Sequence, residues 1–217
     1  MGAFAYPVNL ELRGRRVVVI GELPIREGKV EGLLAAGADD VLVVVEAPGD
    51  ALDVLAHDPG VRVERRRWRP EDLDGALLVI AHDPHPDERL AIALEARARG
   101  VLVNMVDDIP NCDLAMPAVV RRGDLLVAVG TGGASPAVAS ILRRRLAAEF
   151  GPEWGEVLRV VREVREETLA DLPDLRVRAG RWRAALDPDE AAGLVREGRS
   201  DELKELLRSR LLEGAAT

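Results

Sequence analysis

The sequence predicts a parallel, doubly wound α/β sheet followed by a helical extension. Three observations carry that expectation. Through residues 1–150, short β-branched runs alternate with amphipathic helical stretches. The runs at 17–20, 41–45, 77–80 and 101–103 are continuously apolar, the pattern of strands covered on both faces. After Ser135-Pro136 such runs stop, and helical periodicity carries the chain onward.

The elements follow in order. Val17 to Ile20 is a buried strand that ends at Gly21. A helix is expected from about Arg26 to Ala36, with Val30, Leu33 and Leu34 on one face and Gly37 as its stop. Val41 to Val45 is the second strand. Val61 to Arg65 alternates and reads as a third strand nearer an edge. Leu77 to Ile80 is the fourth, followed by a helix from Pro86 to Arg99 that Gly100 closes. Val101 to Val103 is the fifth strand and Leu125 to Val129 the sixth. Helices are expected at 137–150, 153–168, 187–196 and 200–212, with Pro173 and Gly180 as breaks. Asp187 supplies an N-cap ahead of Pro188 and Glu190, and Ser200 is a candidate cap for the last helix, with Leu203 three residues on leaving no capping box.

Composition bounds the function. At 217 residues and 47% apolar content the chain buries a proper core, and no apolar run approaches the roughly 20 residues of a membrane span. The opening residues lack the basic-then-apolar order of a signal peptide. One cysteine, Cys112, excludes an internal disulfide and a multi-cysteine metal site, and a reducing cytoplasm fits. A net charge of −8 argues against nucleic acid or an acidic membrane as partner. Aromatic content of 3% disfavours base-stacking platforms.

In a doubly wound sheet, ligand lies at the carboxyl ends of the strands where strand order reverses. The first strand-to-helix turn is Gly21-Glu22-Leu23-Pro24-Ile25-Arg26. A dinucleotide turn wants glycine at its first and third positions and a small residue at its sixth. Only Gly21 meets that requirement. Leu23 places a side chain near the phosphate position, Glu22 adds negative charge and Arg26 is bulky. Glu46 ends the second strand, where an acidic group holds a ribose hydroxyl, and Arg26 offers a phosphate contact; both also read as ordinary loop charges.

Two further loops carry chemistry. Val103-Asn104-Met105-Val106-Asp107-Asp108-Ile109-Pro110 leaves a buried strand, and Asp107 stands just past that strand's carboxyl end; the alternative is a turn prepared by Asp108. Thr131-Gly132-Gly133-Ala134-Ser135-Pro136 joins a strand to a capped helix. Its two glycines and helix N-terminus suit an anion, or make a plain turn.

These segments together resemble one family. Tyr6 to Gly14, Val17 to Gly21, Lys29 to Gly37, Val103 to Asp108, Met116-Pro117, Arg122 to Leu125 and Val129 to Pro136 are similar, in that order, to the precorrin-2 dehydrogenase family, the siroheme-synthase N-terminal modules. The resemblance implies a Rossmann-like NAD-binding domain (1–112), a dimerisation region (113–150) and a helical C-terminal domain (151–217), assembled as a homodimer. It implies NAD-dependent oxidation of precorrin-2 to sirohydrochlorin, with insertion of ferrous iron by some members; no set of protein metal ligands is needed for that step, because the macrocycle nitrogens become the ligands. Asp107 matches the catalytic aspartate. Gly21, Glu22, Leu23, Glu46 and Asp83 fall on the cofactor side; Asn104, Thr131, Gly132, Gly133 and Ser135 fall on the tetrapyrrole side, with Arg121 or Arg122 as counter-charges for substrate carboxylates.

The chain departs from the family at Gly21-Glu22-Leu23, where three glycines are usual, at Arg26, where a small residue is usual, and at Ala81-His82-Asp83, where an Ala-Thr-Asp type is usual. Three functions therefore stand side by side: an NAD-dependent dehydrogenase, an NAD-independent sirohydrochlorin chelatase, and a non-catalytic tetrapyrrole-binding protein. His82 and His85 share the altered loop and read as polar loop residues ahead of metal ligands.

Overall fold

The computed structural model describes residues 4, 6–26, 28–46 and 51–213. It divides into two compact units, Met1–Met116 with Gly132–Ala134, and Pro117–Thr131 with Ser135–Thr217. Among the described residues no helix is long and apolar enough to cross a membrane.

The first unit holds five parallel strands, β1 (Arg16–Ile20), β2 (Asp40–Val44), β3 (Val61–Glu64), β4 (Ala76–Ala81) and β5 (Leu102–Met105), in the order β3-β2-β1-β4-β5. Its helices are α1 (Glu22–Arg26), α2 (Lys29–Ala35), α3 (Ala51–Leu55) and α4 (Pro86–Ala98). Successive strand residues face opposite sides, and both sides are covered, which is why the strand sequences are continuously apolar. Val17, Val19, Val41, Val43 and Ile80 pack with Ile25, Val30 and Leu33 on one face. Val18, Ile20, Leu42, Val44 and Val79 pack with Leu73, Ile92, Ala93 and Ala96 on the other. This is the Rossmann-like, doubly wound sheet that the sequence predicts, and β3 is an edge strand, as its alternation predicts, with β5 at the other edge.

Three details differ from expectation. The helix expected from Arg26 to Ala36 is two helices: α1 begins at Glu22, and Gly28, at φ +71°, separates it from α2; Glu27 lies outside the described residues. Pro24 is tolerated because the first turn of a helix has no intrahelical use for its N–H. The short α3 carries no sequence signal strong enough to have been expected. Leu125–Val129 does not join the parallel sheet. It is β7, paired antiparallel with β6 (Ala118–Arg122) in the second unit. The reason is connection length: the two-residue loop Gly123-Asp124 returns the chain directly, and a parallel crossover needs a dozen residues or more. Gly123, at φ +55°, occupies the first loop position that a type II′ hairpin reserves for glycine.

The rest of the second unit is helical: α5 (Pro136–Glu149), α6 (Glu153–Glu167), α7 (Leu175–Ala185), α8 (Pro188–Arg196) and α9 (Ser200–Leu212). Val157, Val160 and Val164 of α6 bury their side chains against Leu203, Leu207 and Leu211 of α9. Asp187 caps α8 by accepting from the N–H groups of Asp189 (2.9 Å) and Glu190 (3.0 Å), as expected. Ser200 does not cap α9: Arg199 holds the cap position, and the Ser200 hydroxyl engages Glu156 instead. Gly180 does not break the chain either. It lies within α7, which Asp174 caps through the N–H groups of Arg176 and Val177. An interior glycine weakens a helix by only about 1 kcal/mol, too little to stop one so capped.

Candidate functional site

Strand order reverses between β1 and β4, where the connection from β1 leads to β2 on one side and that from β4 to β5 on the other. The ends of these strands stay hydrogen-bonded up to the rim: the Gly21 N–H donates to the Val44 carbonyl, and the His82 N–H to the Ile20 carbonyl, both at 3.0 Å. Gly21 sits at φ +91°, and a Cβ there would overlap the His82 carbonyl oxygen. The retained glycine is therefore required by the approach of two strand ends.

A cleft of about 370 Å³ opens over these ends. Gly21, Glu22, Leu23, Glu46 and Asp83 all line it, so the five residues on the expected cofactor side are brought together. Leu23 also packs against the apolar core. Glu46 is ion-paired with Arg67 at 2.9 Å. Asp83 accepts the His85 N–H at 2.8 Å through its carboxylate, closing the turn ahead of α4. Arg26 lines the cleft and, among the described residues, has no ion-pair partner.

The opposite wall was not anticipated from sequence. It is built by Arg66, Arg67, Trp68 and Glu88. The Trp68 indole N–H donates to Glu88 at 3.1 Å. Arg66 makes a forked contact to Asp72 at 2.8 and 2.6 Å, and Asp72 also accepts the Arg69 N–H at 2.8 Å. Burial alone pushes the Asp72 carboxyl up, but Arg66 and the Arg69 N–H outweigh it and hold the group below the usual carboxylate range. The available signal was the run Arg65-Arg66-Arg67-Trp68-Arg69, an arginine cluster around one tryptophan just past the carboxyl end of β3.

The loop after β5 carries Asp107. Val106 is buried and its N–H donates to the Ala81 carbonyl at 2.8 Å. Asp107 then takes the left-handed conformation at φ +58°, uncommon for a residue with a side chain. It is exposed, and among the described residues its carboxylate makes no hydrogen bond or ion pair. Asp108 is the opposite: it binds the Arg89 guanidinium at 2.8 Å and the Asn111 amide at 3.0 Å, and both hold its carboxyl below the usual range. Asn104 is buried and donates its amide to the Leu114 carbonyl at 3.0 Å, so what it does here is fasten the returning chain to β5.

Gly132 and Gly133 have φ of +59° and +83°, and a Cβ on Gly133 would touch the Ile109 side chain at 3.4 Å. In the second unit, the Thr131 hydroxyl bonds the Ser135 carbonyl at 3.2 Å, and Ser135 caps α5 by accepting the Val138 N–H at 3.3 Å. Arg122 is not available as a counter-charge. It donates to the Phe150 and Ala147 carbonyls at 3.0 and 3.1 Å, where it closes the C-terminal end of α5. Arg121 is exposed. His82 lines the cleft while His85 lies exposed at the start of α4; among the described residues no three His, Cys, Asp or Glu groups are gathered for a metal.

The chain is similar to the siroheme synthase of Methylococcus capsulatus, 33% identical over 202 residues, which covers 93% of this chain and 42% of that protein. To the siroheme synthase of Chromobacterium violaceum it is 32% identical over 216 residues, covering 97% of this chain and 44% of that protein. It thus spans less than half the length of these relatives. A solved structure described as "SirC, precorrin-2 dehydrogenase" shares the fold, with a TM-score of 0.61 at 22% identity, over 97% of this chain and 98% of that one. Residues 8–118, which build the five-stranded sheet and its cleft, match the NAD_binding_7 family, described as "Putative NAD(P)-binding", and the chain belongs to that family.

Proposed function

We propose that this chain oxidises precorrin-2 to sirohydrochlorin with NAD, with Asp107 as the catalytic carboxylate. The observation that carries the reading is Asp107 itself: a strained, exposed and unpaired carboxylate just past the end of a buried parallel strand. The similarity to siroheme synthases supports the choice of substrate.

The cleft fits a nicotinamide dinucleotide. Its volume lies within the range of small-molecule sites, and Gly21 keeps the β1 end free of a side chain. Glu46, paired here with Arg67, would hold the ribose hydroxyls. Arg26 would offset the pyrophosphate charge where the side chains of Glu22 and Leu23 hinder close approach to the backbone. When bound, NAD supplies the hydride acceptor. Oxidation removes a hydride and a proton from the macrocycle, and Asp107 accepts that proton. Among the described residues no side chain pairs with the Asp107 carboxylate, which leaves it open to a substrate. Gly132 and Gly133, with Thr131 and Ser135, are assigned to the carboxylate-rich tetrapyrrole.

We also propose that residues 113–150 form a homodimer contact. Val119, Val138, Ile141 and Leu142 are exposed there, an apolar surface that a second copy would bury. The single free thiol and the absence of a spanning helix among the described residues agree with a cytoplasmic setting.

A second reading rests on Glu22 and Leu23, whose charge and bulk occupy the turn that usually cradles phosphate. It makes the chain a sirohydrochlorin ferrochelatase, with Asp107 accepting a pyrrole proton as ferrous iron enters. An anaerobic absorbance assay of precorrin-2, with and without NAD and without metal, separates the two. Sirohydrochlorin formed only with NAD is the expected result, lost in Asp107→Asn. No oxidation, with iron insertion that needs no NAD, would overturn the dehydrogenase.

A further inference from the structure

Asp107 holds an unfavourable backbone conformation, so its neighbours must fix it. On its N-terminal side the buried Val106 is tied to β4 through the Ala81 carbonyl. On its C-terminal side the anchor is the Asp108 side chain. Its Oδ2 atom accepts from Arg89 Nε at 2.8 Å and from the Asn111 amide at 3.0 Å, with the ion pair largely shielded from solvent. Asp107 is the single residue between these two fastenings.

Arg89 does more than pair with Asp108. Its Nη1 group donates to the backbone carbonyls of Asp83 at 2.8 Å and Pro84 at 3.3 Å. One guanidinium, on the first turns of α4, thus joins the loop after β4 to the loop after β5. Asp83 and Pro84 line the cleft. The planar fork matters, because a lysine offers one charged centre and cannot reach three acceptors lying in two loops.

We propose that Arg89 is a positioning residue for Asp107, locking the cleft-side loop 83–84 and the Asp107–Asp108 loop into one arrangement. The inference rests on the assignment of Asp107 as the catalytic carboxylate. A small displacement of a reacting group lowers the rate by about a hundredfold, so Arg89→Met should lower kcat by about that factor with little change in KM. Arg89→Lys should recover part of the loss.

The test measures anaerobic NAD-dependent precorrin-2 oxidation in the full chain for Arg89→Met, Asp107→Asn and the double variant. If Arg89 acts through Asp107, the double variant is no slower than Asp107→Asn alone by more than about twofold. Losses that multiply would overturn the proposal, as would an Arg89→Met enzyme with parental kcat beside an inactive Asp107→Asn. Full activity in Asp107→Asn removes the assignment of Asp107 and this inference with it, a result distinct from the previous two. Hydrogen exchange of the unliganded protein gives a readout independent of turnover. In Arg89→Met, peptides covering 82–85 and 105–111 should exchange faster together while 16–20 keeps its protection; unchanged exchange in both loops refutes the coupling. Should Arg89→Met not fold, Asp108→Asn breaks the same ion pair and is read by the same criteria.

Discussion

Gly21→Ala tests the placement of the cleft directly. At φ +91° an alanine is strained by about 1–2 kcal/mol on conformation alone. Its Cβ would also overlap the His82 carbonyl oxygen. That carbonyl has little room to withdraw, because the His82 N–H is bonded to Ile20 and the Gly21 N–H to Val44, each at 3.0 Å. Loosening either ladder bond adds about 1 kcal/mol, so the substitution should destabilise the first unit by about 2–4 kcal/mol. Gly100→Ala is the control: its φ is +72°, but a Cβ there meets nothing within 4 Å, so it shows the conformational part alone. The assay is urea unfolding in a Trp154→Phe/Trp182→Phe background, where Trp68 is the remaining tryptophan and reports on the first unit. The substitution should also weaken NAD binding, read from the same fluorescence, because His82 and Asp83 move with the strand end. If Gly21→Ala unfolds within about 0.5 kcal/mol of Gly100→Ala, the ends of β1 and β4 do not meet at Gly21 and do not form the floor of the cleft.

Two further outcomes follow from the same geometry. Arg66→Met leaves the Asp72 carboxylate, whose side chain is 7% exposed, with only the Arg69 N–H; the loss should be about 3 kcal/mol, the low end for a buried pair because Arg66 is itself 27% exposed. Asp72 is held below its ordinary pKa, so in the parent it adds stability above about pH 4 that is lost as pH falls through the lowered value. The stability gap between parent and variant should therefore narrow on acidification; a gap constant from pH 7 to 3 would refute the role of the pair. Cys112 is half-buried, and burial, with the Asp108 and Asp113 charges, pushes its thiol up. Iodoacetamide at pH 8 should modify the native protein more slowly than the urea-unfolded chain, and equal rates would place the thiol in open solvent.

Much of the molecule was legible before its structure. Four apolar runs became β1, β2, β4 and β5, because a strand covered on both faces is apolar along most of its length. Ser135 and Asp187 cap their helices as their positions predict, since capping depends on residues within one turn. The five residues expected on a cofactor side lie together in one cleft for a related reason: each stands at the carboxyl end of a parallel strand, and a parallel sheet brings those ends to one edge.

What the sequence could not reveal depends on neighbours distant along the chain. Leu125–Val129 has the composition of a core strand, yet its partner and direction were decided by the two-residue loop before it and by β6. Arg122 looked available for a ligand until the carbonyls at the end of α5 claimed it. Arg66, Trp68 and Glu88 carry no motif; they come together because the segment after β3 and the first turn of α4 both line the cleft, where Trp68 bonds Glu88. The left-handed backbone at Asp107 and the Arg89 fork beside it belong to this second class. Local pattern determines which segments are strands, helices and caps, since those choices are governed by nearby residues. Which charges pair and which remain free is decided by packing, since a carboxylate's surroundings are assembled from elements that the chain order keeps apart.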